Sequence, residues 1–169
     1  MAWLQEDQIP KSTSRYTKLD EGETRLRIVS EPIAGIEAWQ YKKPIRRRRS
    51  EPFTKEEVLS FDTPKYGDKV KEWIACVVYN YNTKQVELWQ IKQKSIISQL
   101  QSLTTDSDFP ELFDLKEYDI KIIREDGDKV EYTVKNFQPK ELSEEIRNEV
   151  ESTKVRLDAL YDNGNPFEG

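Results

Sequence analysis

The sequence predicts a mainly β protein, a small antiparallel barrel with one inserted short helix and a C-terminal helix followed by an acidic tail. Six short segments either alternate between apolar and polar side chains or are rich in β-branched and aromatic residues. Two of these segments flank the turn sequence Asn82–Thr83–Lys84, and two flank Asp126–Gly127, which is a strong hairpin signal. The length of 169 residues and the aromatic content of 11% suit one globular domain.

The predicted strands lie at residues 24–29, 36–41, 72–81, 85–91, 118–124 and 130–137. Apolar residues at positions 96, 97, 100 and 103 predict a short helix after the fourth strand. Leu142, Ile146, Val150, Leu157 and Leu160 predict a C-terminal helix with a candidate break near Ser152. Five-stranded Greek-key barrels of the oligonucleotide-binding kind have this scale, and other mixed antiparallel α+β sheets fit the strand count nearly as well.

Three regions follow from this pattern. Residues 1–17 are polar and are predicted to form a flexible lead-in. Residues 18–140 form the barrel, in which residues 43–68 are predicted to be a long loop containing a single short helix that starts at a capping box of Thr54 and Glu57. Residues 141–169 form the C-terminal helix and the acidic tail.

The absence of histidine excludes whole classes of function. No Ser-His-Asp or Cys-His catalytic group can form, and neither can a zinc site of Cys and His ligands. The one cysteine, Cys76, cannot make an internal disulfide, and its apolar neighbours predict a small core residue. Neither a cofactor nor a metal is predicted, although a carboxylate site for Mg²⁺ or Ca²⁺ remains compatible with the composition.

The net charge of −5 conceals two unlike halves. Residues 1–100 hold 18 basic and 14 acidic side chains, whereas residues 101–169 hold 9 basic and 18 acidic ones, so the halves carry +4 and −9. A basic body with an acidic tail is typical of a nucleic-acid-binding protein, and an acidic solvated helix is the plainer alternative. No apolar run approaches the ~18 residues of a membrane span, and the N-terminus has no signal-peptide core, so we expect a cytoplasmic protein without a membrane partner.

The two faces of the predicted strands differ in composition. The predicted interior contains Leu26, Ile28, Ile36, Ala38, Ile74, Cys76, Val78, Val86 and Leu88. The opposite face collects arginine and aromatic residues, namely Arg25, Arg27, Trp39, Tyr41, Trp73, Tyr79, Tyr81 and Trp89. Basic residues lie at the ends of the same strands, namely Lys42, Lys43, Arg46, Arg47, Arg48, Arg49, Lys92 and Lys94.

This face has the composition that single-stranded nucleic acid needs, because bases stack on aromatic rings and Lys and Arg neutralise phosphates. Each aromatic residue has a core position as its alternative, above all Tyr79 and Trp89 beneath the C-terminal helix. A solvated loop or a localisation tract is the alternative for Arg46 to Arg49.

Several stretches are similar to one family. Residues 18–33 (KLDEGETRLRIVSEPI), with Trp39 after them, resemble the opening of small tailed-phage single-stranded DNA-binding proteins. Residues 73–81 (WIACVVYNY) and 91–97 (IKQKSII) resemble their central hairpin and the helix after it. Residues 118–122 (YDIKI) and 132–134 (YTV) are similar to their last strands, and LDALYD with NPF near the C-terminus is similar to their tail.

The resemblance implies an oligonucleotide-binding fold that coats single-stranded DNA during replication and recombination in an infected bacterial cell. It also implies an acidic C-terminal tip that recruits replication or recombination proteins, with Asp162, Pro166, Phe167 and Glu168 as the partner-binding residues. The chain departs from that pattern because it continues past Phe167 to Glu168 and Gly169. Larger relatives hold a structural zinc in a loop, for which this chain has no ligands.

The predicted function is non-enzymatic binding of single-stranded DNA without sequence preference. In this interpretation Arg25, Arg27 and residues 42–49 contact phosphates, and Trp39, Tyr41, Trp73 and Tyr81 stack on bases. The first alternative is an adaptor or inhibitor that binds a protein through its aromatic face. The second is a metal-dependent nuclease that uses scattered carboxylates such as Asp119 and Glu125. The oligomeric state is not predicted.

Overall fold

Seven antiparallel strands dominate the part of the chain that the computed structural model describes, which is residue 3 and residues 15–167. They are β1 (Gly22–Ile28), β2 (Ile33–Gln40), β3 (Lys43–Arg48), β4 (Lys71–Asn80), β5 (Gln85–Ile91), β6 (Ile120–Asp126) and β7 (Val130–Asn136). They pair in the order β3-β2-β4-β1-β6-β7, and β5 pairs with β4. The mainly β prediction is confirmed, but the strands form one open sheet, and a closed barrel is not shown.

Strand β4 organises the sheet because it pairs with three neighbours. Its first half pairs with β2, its last residues pair with β1, and β5 runs along its other edge. The connection between β1 and β2 therefore passes the middle of β4, where the Ser30 hydroxyl accepts a hydrogen bond from the Val77 N–H at 2.9 Å.

Three α-helices and three short 3-10 helices complete the described residues. The α-helices are α1 (Lys55–Ser60), α2 (Lys94–Thr105) and α3 (Glu144–Ser152), and the 3-10 helices are Pro110–Leu112, Leu115–Glu117 and Leu157–Asp162. The capping box of Thr54 and Glu57 and the helix after β5 are confirmed. The break near Ser152 is confirmed as well, because Thr153 adopts an extended conformation. None of these helices is long and apolar enough to cross a membrane.

The predicted loop over residues 43–68 is wrong at its start, because residues 43–48 form strand β3. This strand pairs with β2 along its whole length, from Gln40 opposite Lys43 to Gly35 opposite Arg48. The sequence concealed it because Pro44 and a run of arginines interrupt any apolar alternation. Both features suit a strand at the end of a sheet, where a proline is tolerated and charges discourage further pairing.

The predicted flexible lead-in does not extend to residue 17. Thr17 donates its N–H to the Leu88 carbonyl at 2.9 Å, and the Leu88 N–H donates to the Arg15 carbonyl at 2.8 Å. Residues 15–17 thus lie along β5, whose outer edge offers unpaired backbone groups. Residues 1–2 and 4–14 lie outside the described residues.

The predicted faces are right for β4 and wrong for β5. Directly opposed residues of an antiparallel pair share a face, and Cys76 lies opposite Trp89, whereas Tyr79 lies opposite Val86. Trp89 therefore joins the predicted interior, and Val86 and Leu88 lie on the other face. The sequence could not assign these faces, because both sides of β5 are covered and apolar residues occupy both.

The sheet is covered on both sides. Helix α2 covers the first face through Ile96 and Leu100, over a core of Leu26, Ile28, Cys76, Val78, Trp89, Ile91, Ile120 and Ile122. Residues 144–167, called the C-terminal segment below, cover the second face with Ile146, Val150, Val155, Leu157 and Leu160. Cys76 is buried as predicted, and burial raises the pKa of its thiol to about 12.

Gly35 provides a direct test of the pairing between β2 and β3. A Cβ atom at this position would lie 2.3 Å from the Arg47 carbonyl oxygen across the ladder. We expect Gly35→Ala to lower the free energy of unfolding by about 1–3 kcal/mol, because the clash is with backbone that cannot move aside without breaking the pairing. Gly127→Ala is the control, since a Cβ atom at Gly127 would lie 3.9 Å from its nearest new neighbour, the Lys129 carbonyl oxygen, which is an ordinary van der Waals distance. Equal urea midpoints for the two variants would contradict the pairing.

Candidate nucleic-acid interface

Two of the predicted phosphate-binding arginines are held by one buried carboxylate. Arg25 Nη2 lies 2.6 Å from Asp119 Oδ2, and Arg27 Nε lies 2.6 Å from Asp119 Oδ1. The Arg27 side chain is only 4% exposed and also donates to the Lys140 carbonyl at 2.7 Å. Arg27 is therefore a structural residue. Arg25 remains 43% exposed, with its guanidinium carbon 4.7 Å and 4.2 Å from the ring centres of Tyr81 and Phe137.

The run of four arginines is also engaged within the protein. Arg46 pairs with Glu37 at 2.8 Å, Arg47 pairs with Glu57, and Arg49 pairs with Glu72 at 3.1 Å. The guanidinium carbon of Arg48 lies 4.4 Å from the ring centre of Tyr161 in the C-terminal segment. The basic run thus links β3 and the residue after it to their neighbours, and three of its four arginines already have a carboxylate partner.

The ion pair of Arg47 and Glu57 predicts an unusual titration. The hydrogen bond from Arg47, together with that from the Thr54 N–H, lowers the pKa of Glu57 from 4.5 to about 2. Because the pKa is depressed in the folded state, the contribution of this carboxylate to stability is present above pH 4.5 and is lost as the pH falls through about 2.

Carbon-detected NMR of the Glu57 carboxyl should therefore find a pKa near 2, and Arg47→Gln should move it most of the way back towards 4.5. Arg49→Gln is the control, because Arg49 pairs with the exposed Glu72. An unchanged Glu57 pKa in Arg47→Gln would show that Arg47 is not its partner.

Three aromatic residues of the predicted binding face fill the core. Trp73, Trp89 and Tyr79 are 0%, 1% and 8% exposed. The Trp73 ring packs edge-on against Tyr161 at 5.8 Å and its N–H donates to Gln90 at 3.1 Å. The alternative of a core position beneath the C-terminal helix is correct for Tyr79, which packs against α3, Val155 and Leu157. Trp89 is also in the core, but it packs on the α2 side, so its predicted place beneath the C-terminal helix is wrong.

Tyr81 is half-buried between Tyr79 and Arg25. Its hydroxyl donates to Asp119 Oδ1 at 3.0 Å. Burial, followed by the negative charge of Asp119, raises the pKa of Tyr81 to about 12. The ring packs against Tyr79 at 5.1 Å and against Arg25, so Tyr81 belongs to the surroundings of the buried carboxylate.

Trp39 and Tyr41 remain available to a ligand, because they are 42% and 81% exposed. Tyr41 and Lys42 form the two-residue turn between β2 and β3, and both have positive φ, 52° and 65°. Such a turn usually contains Asn and Gly, so two bulky residues here are strained and must be held by their surroundings. Asp62 holds them, because its carboxylate accepts the N–H of Tyr41 at 3.2 Å and the N–H of Lys42 at 2.8 Å.

The backbone N–H of Asp62 also donates to the Trp39 carbonyl at 2.7 Å, which ties the connection after α1 to the hairpin. A cleft of about 470 Å³ lies between the two, and we call it the Trp39 cleft. It is lined by Glu37, Trp39, Lys42, Asp62, Pro64, Asp68, Lys69, Lys71 and Lys92. Lys92 Nζ lies 5.7 Å from the Trp39 ring centre and 2.7 Å from Glu37 Oε1.

The Trp39 cleft adds two lysines that the sequence interpretation missed, Lys69 and Lys71. Within the described chain neither has an ion-pair partner, and the same holds for Lys42. Lys69 Nζ donates to the Val58 carbonyl at 3.3 Å and Lys71 Nζ to the Tyr66 carbonyl at 3.2 Å, so both keep a positive charge that no carboxylate neutralises. No local pattern in the sequence indicates either lysine, because Lys71 reaches the cleft only by lying opposite Glu37 in β2. Lys43 and Lys94 are exposed as predicted but do not line the cleft.

The predicted partner-binding residues do not form a projecting tail. Pro166 is buried, and its carbonyl accepts the Arg156 N–H at 2.7 Å. The Phe167 ring packs edge-on against Tyr16 at 6.4 Å, with the Arg15 guanidinium carbon 5.4 Å from its centre. Asp162 is exposed, and Glu168 lies outside the described residues.

Carboxylates in the last two strands and just before them are engaged by arginines. Asp119 is occupied by two arginines, and Asp126 pairs with Arg124. Among residue 3 and residues 15–167, no group of three or more Cys, Asp or Glu side chains is placed to hold a metal ion.

Comparison of the chain with protein-family models, with curated proteins and with solved structures finds no match.

Proposed function

We propose that the chain binds single-stranded DNA at the Trp39 cleft, as a non-enzymatic protein of DNA replication and recombination in the cytoplasm of a phage-infected bacterium. The observation that carries the proposal is the pair of exposed rings, Trp39 and Tyr41, held on a strained hairpin beside lysines that have no ion-pair partner. Strained backbone that is rigidly supported is a recurrent feature of binding sites.

The chemistry of the cleft fits a strand of bases and phosphates. A base stacked on an aromatic ring contributes about 1–3 kcal/mol whatever its identity. Lys42, Lys69 and Lys71 would neutralise phosphates on either side of the stacked base. Lys92 already shares its charge with Glu37, so it contributes less. The Trp39 cleft therefore contains fewer ligand-facing residues than the eight arginine and aromatic residues of the predicted face, and its cations are lysines.

Arg25 would make a second contact with the same DNA strand. Arg25 lies on the same face as Lys71 and Trp73, because Arg27 lies opposite Tyr79 in β4 and alternate residues of a strand share a face. Between β4 residues 71 and 79 the backbone advances about 25 Å, and the C-terminal segment lies between the two positions. A bound DNA strand would pass along the edge of the C-terminal segment.

Protein partners that use the C-terminal segment are a further part of this proposal. Asp162 is exposed and can be contacted directly. A partner that binds Pro166 or Phe167 must first displace them from the body of the protein, where they pack against Arg15 and Tyr16.

A fluorescent oligo-dT titration at two salt concentrations tests the proposal. Neutralisation of three or four phosphates predicts that affinity falls roughly 20- to 50-fold between 50 and 200 mM salt, since each contributes about 0.7 to the slope. Tryptophan fluorescence should be quenched in parallel, because Trp39 is the exposed tryptophan of the site. Absence of binding at low salt, or binding without salt dependence, would contradict the proposal.

A further inference from the structure

Helix α2 separates two clefts on the face of the sheet opposite the Trp39 cleft. Residues 97, 100, 101 and 104 of α2 line the first, and residues 99, 102, 103 and 106 line the second. Each set follows the spacing of one side of a helix. An exposed phenylalanine from the following loop lines each cleft, Phe113 in the first and Phe109 in the second, and they are 47% and 50% exposed.

The first cleft is an open, mainly apolar cavity with a total volume of about 270 Å³. Its apolar lining includes Ile74, Cys76, Ile91, Ile97 and Leu115, and its polar lining includes Gln101, Thr104 and Asp114. An apolar cavity of about 150 Å³ can hold a benzene molecule, so this one has room for a side chain as large as Phe or Leu. The Phe113 ring stands beside it and would cover an inserted group.

Five exposed carboxylates surround the two phenylalanines. They are Asp106, Asp108, Glu111, Asp114 and Glu117, all within or next to the loop that follows α2. Over residues 15–167, none of the five has an ion-pair partner. The one cation in the loop, Lys116, is already paired with Glu31 at 2.5 Å. Asp114 lines the first cleft, and Asp106 and Glu111 line the second. The loop between the two clefts is therefore negative, and it lies beside the mainly apolar cavity.

We propose that this surface, residues 97–117, binds a basic segment of another protein through one bulky apolar side chain. The apolar side chain enters the cavity beside Phe113, and Lys or Arg residues on either side of it meet the carboxylates. Burial of a large apolar anchor supplies most of the affinity of such contacts, and complementary charge at the rim supplies orientation and association rate. This assigns a role to the negative half of the chain that the DNA site leaves unexplained.

The same charges exclude DNA from this surface, so it differs from the Trp39 cleft in ligand as well as in position. Trp39 shares a face with Glu37 and Trp73, whereas the cavity lies against Ile74 and Cys76 on the other face. A DNA strand and a basic protein segment could therefore bind at the same time. The inference does not depend on DNA binding.

Fluorescence anisotropy of short labelled peptides with the full chain tests the inference. The probe has Phe at its centre and Lys on both sides, and two matched peptides carry Ala in place of Phe or Glu in place of Lys. The Phe–Lys peptide should bind about tenfold tighter than either matched peptide, because each lacks one of the two contacts. Equal binding of the three peptides, or no binding of any, would overturn the proposal.

Variants locate the site. Phe113→Ser and the double variant Asp114→Asn with Glu111→Gln should each weaken the Phe–Lys peptide several-fold. Leu59→Ser, which removes an exposed apolar side chain from α1, should leave peptide binding unchanged. The double variant alters only exposed rim charges, so it remains informative if Phe113→Ser does not fold. Unchanged peptide affinity in the double variant would contradict the assignment. So would sedimentation that shows a dimer of the wild-type chain and a monomer of the double variant, because a second copy would then cover the surface.

Discussion

Asp119→Ala should lower the free energy of unfolding by about 3–5 kcal/mol, the cost of leaving a buried charge without its partner. Asp119 is 5% exposed and accepts hydrogen bonds from Arg25, Arg27 and the Tyr81 hydroxyl. Its removal leaves the Arg27 guanidinium buried without a counter-ion. Urea unfolding followed by tryptophan fluorescence measures the loss.

Asp126→Ala is the matched control for this prediction. Asp126 also pairs with an arginine, Arg124, but both side chains are about one-third exposed, so its loss should cost no more than about 1 kcal/mol. Asp119→Asn should fall between the two, since the amide keeps acceptor oxygen but loses the charge. If Asp119→Ala and Asp126→Ala were equally stable, Asp119 would not be a structural centre of the fold.

Trp39→Ala and Trp73→Ala should have opposite consequences, although the sequence places both on one face. Trp39 is exposed in the cleft, so its loss should weaken oligo-dT binding by about 1–3 kcal/mol, which is about 5- to 150-fold, and leave the melting temperature nearly unchanged. Trp73 is fully buried against Tyr161 and Leu160. Its loss should cost about 3–5 kcal/mol of stability.

Titration and thermal melting of both variants separate these effects. Trp39→Phe provides the control, because it keeps an aromatic ring and should keep most of the affinity. Oligo-dT binding that survives Trp39→Ala intact would show that DNA does not stack at this cleft.

Local signals in the sequence were sufficient for the elements. The turns at residues 82–84 and 126–127, the spacing of apolar residues in α2 and the capping box at Thr54 each depend on residues close together in the chain. Strand β3 was not predicted because its own sequence has no alternation of apolar and polar residues. Its residues carry charge or proline, and only pairing with β2 makes them a strand.

The site was predicted less well because its residues depend on distant partners. Arg25 and Asp119 are 94 positions apart, and Arg46 and Leu160 are 114 apart. No periodicity in β1 or β3 indicates that a carboxylate or the C-terminal segment will occupy those arginines. The sequence places Trp39 and Tyr41 on the predicted binding face, and the structure leaves both exposed. Lys71 reaches the cleft because β4 pairs with β2, and the cleft forms where Asp62 ties the connection after α1 to the hairpin.

In the structure, part of the positive charge of residues 1–100 is neutralised by ion pairs within the protein. Its net +4 includes Arg46, Arg47 and Arg49, which pair with Glu37, Glu57 and Glu72. The cations left for a phosphate are mainly lysines around one hairpin. Part of the negative charge of residues 101–169 lies in the loop after α2, which lines the two clefts on the opposite face of the sheet.

Photo-crosslinking tests the central claim, that single-stranded DNA binds at the Trp39 cleft, most directly. An oligo-dT carrying one 5-iodouracil, irradiated with the full chain and analysed by mass spectrometry, should attach to Trp39 or Tyr41. Free oligo-dT should compete the crosslink away, and high salt should diminish it. Crosslinks confined to Phe109 and Phe113, or none at a saturating concentration of the protein, would contradict the account.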